Sequence, residues 1–108
     1  MNQKSRKRVS QSVSVIESVS GRLTSAIEYA TESLQSVISD LEDIRDEEQE
    51  KIDNAPESLQ FSERYEAMEE AVSIIEDALS SIEDVMASIE DMDITPLDDA
   101  TSSLNDIT

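Results

Sequence analysis

The chain has 108 residues, 26 acids against 8 bases and a net charge of −18, with no Cys, no His, no Trp, one Gly and two Pro. This size allows one domain at most. The lack of Cys and His excludes disulfides, thiolate chemistry, most nucleophile–base pairs and the nitrogen and sulfur metal ligands. So few turn residues argue against many strands and in favour of long helices.

The charge is segregated. Lys4, Arg6, Lys7 and Arg8 place four of the 8 bases at the start, and from Val9 onward the balance is 4 − 26 = −22. Residues 1–8 read as a basic flexible arm: a solvated terminus, or a contact to nucleic acid or anionic membrane. The acidic body should be repelled by nucleic acid and anionic lipid and attracted to basic protein surfaces. The basic start runs into Val9-Ser-Gln-Ser-Val13, which polar residues interrupt, so a secretory signal is not expected. No apolar run is long enough to span a membrane. A cytoplasmic protein is the expectation.

From Val9, apolar residues step by 4 and 3 through Val13, Ile16, Leu23, Ile27, Ala30, Leu34, Val37, Leu41 and Ile44, with Ser20 in one seam position. This is the spacing of a helix that buries one narrow seam, and it predicts a helix over 9–53. Gly21 and the many Ser and Thr weaken its first half by propensity. Residues 54–61 form the break, because Pro56 disfavours helix before it and Asn54 accepts turn conformations.

Ser62 is placed to cap a second helix over 62–92, with Glu63 and Glu66 in its first turn. Its seam is Phe61, Tyr65, Met68, Val72, Ile75, Leu79, Ile82, Met86 and Ile89, stepping 4 and 3 without a miss. Two such helices with a short connection make an antiparallel hairpin. Thr95-Pro-Leu-Asp98 then offers a capping hydroxyl, a first-turn proline and an acid, predicting a short amphipathic helix over 96–106 that carries Leu97, Ala100, Leu104 and Ile107. The fold class is therefore all-α: a long, coiled-coil-like helical hairpin with a short C-terminal helix, in a single helical domain over 9–108.

The second helix carries a further apolar strip, Ala71, Ile74, Ala78, Val85 and Met92; Val15, Val19, Ala26 and Ile38 lie off the first helix's seam. One hairpin cannot bury both strips, so these residues are a candidate oligomer interface, most simply a homodimeric four-helix bundle. A monomer shielded by the third helix is the rival. Of the aromatics, Phe61 and Tyr65 read as core and Tyr29 as an interface residue.

No site for chemistry is visible. The single glycine rules out a glycine-rich phosphate cradle, and the EF-hand pattern of alternating acids around a central glycine is missing. An enzyme, a cofactor and a specific metal site are not expected. What stands out is a carboxylate ladder: Glu69, Glu70, Glu76, Asp77, Glu83, Asp84, Glu90 and Asp91, one pair per heptad beside the seam. Between Asp40 and Asp93 there are 20 acids and 3 bases. A face made only for solubility mixes signs. Like charges at i, i+3 and i+4 each cost a few tenths of a kcal/mol, so a basic partner is the candidate reward. A dimer built on a helix of about 68 Å would carry roughly one charge per 2 Å, against one per about 1.7 Å in B-DNA.

The stretch Arg45-Asp-Glu-Glu-Gln-Glu-Lys-Ile-Asp-Asn-Ala-Pro-Glu-Ser-Leu-Gln-Phe-Ser-Glu-Arg64, with the acidic heptads after it, resembles small acidic helical-hairpin proteins of bacteriophages and mobile elements. The resemblance covers the hinge, Asp46 to Glu63, and the heptads that follow. It implies a phage or prophage origin and a hairpin, and carries no activity. Together these readings lead to a non-enzymatic acidic binding protein, a phage-type inhibitor engaging a basic surface of a host defence or nucleic-acid-binding protein in the manner of a DNA mimic (anti-restriction or anti-CRISPR). The alternative is a structural coiled-coil oligomer or assembly factor acting through its apolar strip.

Overall fold

The computed structural model describes residues 1–107. It is all-α, with three α-helices and one short 3-10 turn, and no strand among the described residues. Helix α1 spans Gln3–Asp53, a 3-10 turn covers Glu57–Leu59, α2 spans Glu63–Glu90 and α3 spans Thr95–Asn105.

Helix α1 starts at Gln3 instead of Val9. The expected flexible arm is helical from its third residue, because Asn2 caps it. The Asn2 Oδ1 accepts the Ser5 N–H at 2.8 Å, and the Asn2 carbonyl accepts from the Arg6 amide at 3.0 Å. The side chain of Asn2 thus satisfies one amide that the first turn leaves without a helical partner. Within the helices, the hydroxyls of Ser14, Thr24 and Ser88 donate back to the carbonyls of Ser10, Ser20 and Asp84. This back-bonding gives the hydroxyls a partner within the helix, at a slight cost to the helix itself.

The chain divides into two compact units. One comprises Thr31–Glu90 and the other Met1–Ala30 with the segment from Asp91 on. The first is the predicted hairpin, formed by the C-terminal part of α1 and by α2. Its core joins Ile38, Leu79 and Met86, with Leu34, Leu41, Ile75 and Ile82 packed against them. Val72 and Ile52 are buried nearer the hinge. The seam of α2 is as the sequence predicts from Tyr65 to Ile89, and every one of these positions is buried or half-buried.

The seam of α1 holds from Val9 to Leu34 and then slips by one residue. Ile38 is 5% exposed, whereas Val37 and Ile44 are 41% and 45% exposed. The inward-facing positions continue through Leu41, Arg45 and Glu48, all half-buried, to the buried Ile52. Ile38, expected off the seam, is core. The cause is the difference between 3.6 residues per turn and a strict 3.5 repeat. An α-helix drifts about 20° per heptad against a strict 3.5 repeat, and a second successive step of four, from Leu34 to Ile38, restores the buried register.

Phe61 corrects the sequence reading most. Expected in the core, it is 92% exposed. Helix α2 begins only at Glu63, so Phe61 sits in the preceding turn, where the α2 face does not extend. Hydrogen bonds from the amides of Leu59, Gln60 and Ser62 to the carbonyls of Pro56, Glu57 and Leu59 hold that turn. Ser62 caps α2 as predicted: its hydroxyl accepts the Tyr65 N–H at 3.2 Å.

In the other unit, Val13 is buried, and Val9, Ile16, Ser20, Leu23 and Ile27 are half-buried. Leu97, Ala100 and Leu104 of α3 are half-buried too, and Leu104 shares a surface depression with Ser5, Val9 and Ser12. Ile107 falls beyond the end of α3 and is exposed. Thr95, expected as the cap, is the first residue of α3. The anchor is Asp93, whose Oδ1 accepts both the Thr95 N–H at 3.0 Å and the Thr95 hydroxyl at 2.6 Å.

Candidate partner-binding faces

Helix α2 presents three faces. At 100° per residue, the seam takes one third of its circumference. The carboxylate ladder takes a second, immediately following the seam residues Met68, Ile75, Ile82 and Ile89. The third carries Ala67, Ile74, Ala78, Ser81, Val85 and Ser88, and contains no charge.

All eight ladder residues are exposed: Glu69, Glu70, Glu76, Asp77, Glu83, Asp84, Glu90 and, just past the helix, Asp91. The ion pairs among the described residues are Arg45–Asp46 at 3.1 Å and Lys51–Glu48 at 2.9 Å. Both lie on α1, and neither uses a ladder carboxylate. The chain's own bases therefore leave the ladder unneutralised. The pairs recur every seven residues, about 10.5 Å along the axis, on a helix that its buried seam holds in place.

Of the expected oligomer strip, Ala71 and Ala78 are half-buried beside the hairpin seam, while Ile74 and Val85 stay more than half exposed. Met92, past the end of α2, is also exposed. On α1 the slip of the seam adds two residues that the sequence reading had placed in the core. Val37 and Ile44 each stand one residue before an inward-facing position, the buried Ile38 and the half-buried Arg45. Ala78 and Val85 do the same before Leu79 and Met86. In an antiparallel helix pair, residues at this offset on the two helices line the same side. The hairpin is thus two-faced. Val37, Ile44, Ile74, Ala78 and Val85 share one side; Glu69, Glu76, Glu83 and Glu90 of the ladder lie toward the other, and Glu70, Asp77 and Asp84 on the outer edge between them.

In the other unit, Val15 and Val19 are exposed on α1, as is Tyr29. Ala26 is exposed as well. Arg8 and Arg22 stand seven residues to either side of Val15. Two turns of helix separate seven residues, so both fall on the same face as Val15 and Val19.

Sequence reasoning missed a depression of about 460 Å³ at the hinge. Leu59, Tyr65 and Met68 form its apolar part, and Lys51 and Arg64 lie at its edge. The signal was present: these are two of the three bases between Asp40 and Asp93. Lys51 is engaged by Glu48.

One titration is perturbed. The hydrogen bonds from the Thr95 hydroxyl and amide hold the Asp93 carboxyl below its usual range. No cluster of His, Cys, Asp or Glu among the described residues is placed to hold a metal ion. No helix among the described residues is long and apolar enough to cross a membrane. Comparison with protein-family models, with curated proteins and with solved structures finds no match for this chain.

Proposed function

We propose that this is a non-enzymatic binding protein that offers the α2 carboxylate ladder to a basic surface of another protein. One observation carries the reading: eight carboxylates in regular pairs stand exposed on one flank of a packed helix, and none joins an ion pair among the described residues. Such an array raises the local negative potential and repels itself at a cost of a few tenths of a kcal/mol per close pair. A basic partner relieves that repulsion, and the field steers its approach. The partner class that fits is a protein that handles nucleic acid, because its groove is already shaped for a regular series of negative groups. In a phage setting that partner is a host defence or nucleic-acid enzyme, such as a restriction or CRISPR complex, and the protein acts as its inhibitor.

The test is capture of partners from host lysate on the immobilised protein, eluted with a salt gradient. The comparison is a variant carrying Glu76→Lys, Asp77→Lys, Glu83→Lys and Asp84→Lys. Loss of capture by the variant, and elution at moderate salt from the native chain, are expected. Capture that survives both the reversal and high salt overturns the reading. That outcome favours a structural assembly factor acting through its apolar strip, a reading that the exposure of Ile74 and Val85 supports.

A further inference from the structure

The side of the hairpin that carries Val37 and Ile44 has its own chemistry. Val37, Ile44, Ile74 and Val85 form an exposed apolar face. On the outer edge of α1 this face is bordered by Asp40 and Glu47, and on the outer edge of α2 by Glu70 and Asp77. All four carboxylates are exposed. An apolar centre with a charged rim is the anatomy of a protein interface. The rim decides what fits. Two copies of this face laid on one another would bring acid to acid on both edges. A helix with an apolar stripe flanked by bases is the complement.

The chain itself supplies such a helix. Residues 1–27 hold five of the 8 bases and a single acid, Glu17, for a balance of +4. The remainder holds the other 3 bases and 25 acids, a balance of −22. In the basic segment, Val15 is 62% exposed and Val19 is also exposed. Arg8 and Arg22 bracket them on the same face, about 21 Å apart. Apolar centre and basic ends thus meet an apolar centre and an acidic rim.

We propose that the Arg8–Arg22 face of α1 in one copy docks on the Val37–Ile44–Ile74–Val85 face of a second copy. The contact is heterologous, because two different surfaces meet. It leaves the ladder residues Glu69, Glu76, Glu83 and Glu90 free but shares the outer ladder edge of Glu70 and Asp77; self-association of the purified chain, which needs no other partner, tests it apart from the function proposed above.

Two variants of the full chain test it by analytical ultracentrifugation, with circular dichroism to verify that helix content is kept. One carries Val15→Glu and Val19→Glu; the other carries Ile74→Glu and Val85→Glu. All four positions are exposed, so both variants fold. Each alone is expected to be monomeric at concentrations where the native chain associates. Mixed, they are expected to form a one-to-one complex, since each retains the surface that the other lacks. Arg8→Glu with Arg22→Glu is expected to abolish the native association at low salt. A monomeric native chain overturns the proposal. So does self-association that persists in the Val15/Val19 variant, and so does a mixture that stays monomeric.

Discussion

The Ser62 hydroxyl accepts the Tyr65 N–H at 3.2 Å while donating to the Leu59 carbonyl at 2.7 Å. One oxygen thus closes the hinge turn and starts α2. Replacing Ser62 with Ala leaves both the Tyr65 amide and the Leu59 carbonyl without that partner. The expected cost is about 1 kcal/mol, read as a lower urea midpoint with an unchanged slope. Ser62→Asp, which still accepts at the cap, should recover most of it.

The slipped seam makes neighbouring residues unequal. Ile38 packs with Leu79 and Met86, whereas Val37 faces outward. Ile38→Ala should cost roughly 2–5 kcal/mol. Val37→Ala should stay within about 0.5 kcal/mol. Urea denaturation of the two variants side by side decides the register. A strict heptad continued from Leu34 would reverse the order.

The Asp93 carboxyl is held below its ordinary value of 3.8 by the two hydrogen bonds from Thr95. A group depressed in the folded state contributes stability that is present above the unfolded value and lost as the pH falls through the folded one. The start of α3 should therefore hold at any pH above about 4 and loosen only in stronger acid. Amide exchange at Thr95 and in the first turn of α3 measures this. Asp93→Ala should raise exchange there at neutral pH and remove the acid-dependent step.

Self-repulsion within the acidic body is relieved when its charges are screened or partly neutralised. The melting temperature should rise between low salt and about 0.5 M NaCl, and should not fall between pH 7 and pH 5. Thermal unfolding followed by circular dichroism reads both. A fall in either series would show that the carboxylates are already balanced within the folded chain.

How far the sequence speaks differs from element to element. The α2 seam from Tyr65 to Ile89 was legible because its steps of four and three run without a miss, so the count ranks Ile75 over Ile74 and Met86 over Val85. On α1, Val37 and Ile38 are adjacent and both apolar, and the count of fours and threes picks Val37; the packing against Leu79 and Met86 picks Ile38. Phe61 fitted the count of fours and threes, but Ser62 ends the turn before the helix begins, and a cap outranks a pattern. The Asn2 cap was hidden by its place in a basic, polar terminus. The ladder was legible residue by residue, because burial does not enter into it. The acid-rimmed apolar side was not, because it needs two helices in register and the slip at Ile38.

Gly21 lies inside α1, and a methyl group built on it would meet nothing within 4 Å. No neighbour demands the glycine, yet its presence costs the helix about 0.5–1 kcal/mol relative to alanine. Local opening should therefore begin around this residue, well before the Ile38 cluster yields, and deuterium should enter α1 from its amino-terminal half. A molecule built this way breathes at one end and stays shut at the other, and Gly21→Ala would even out the two.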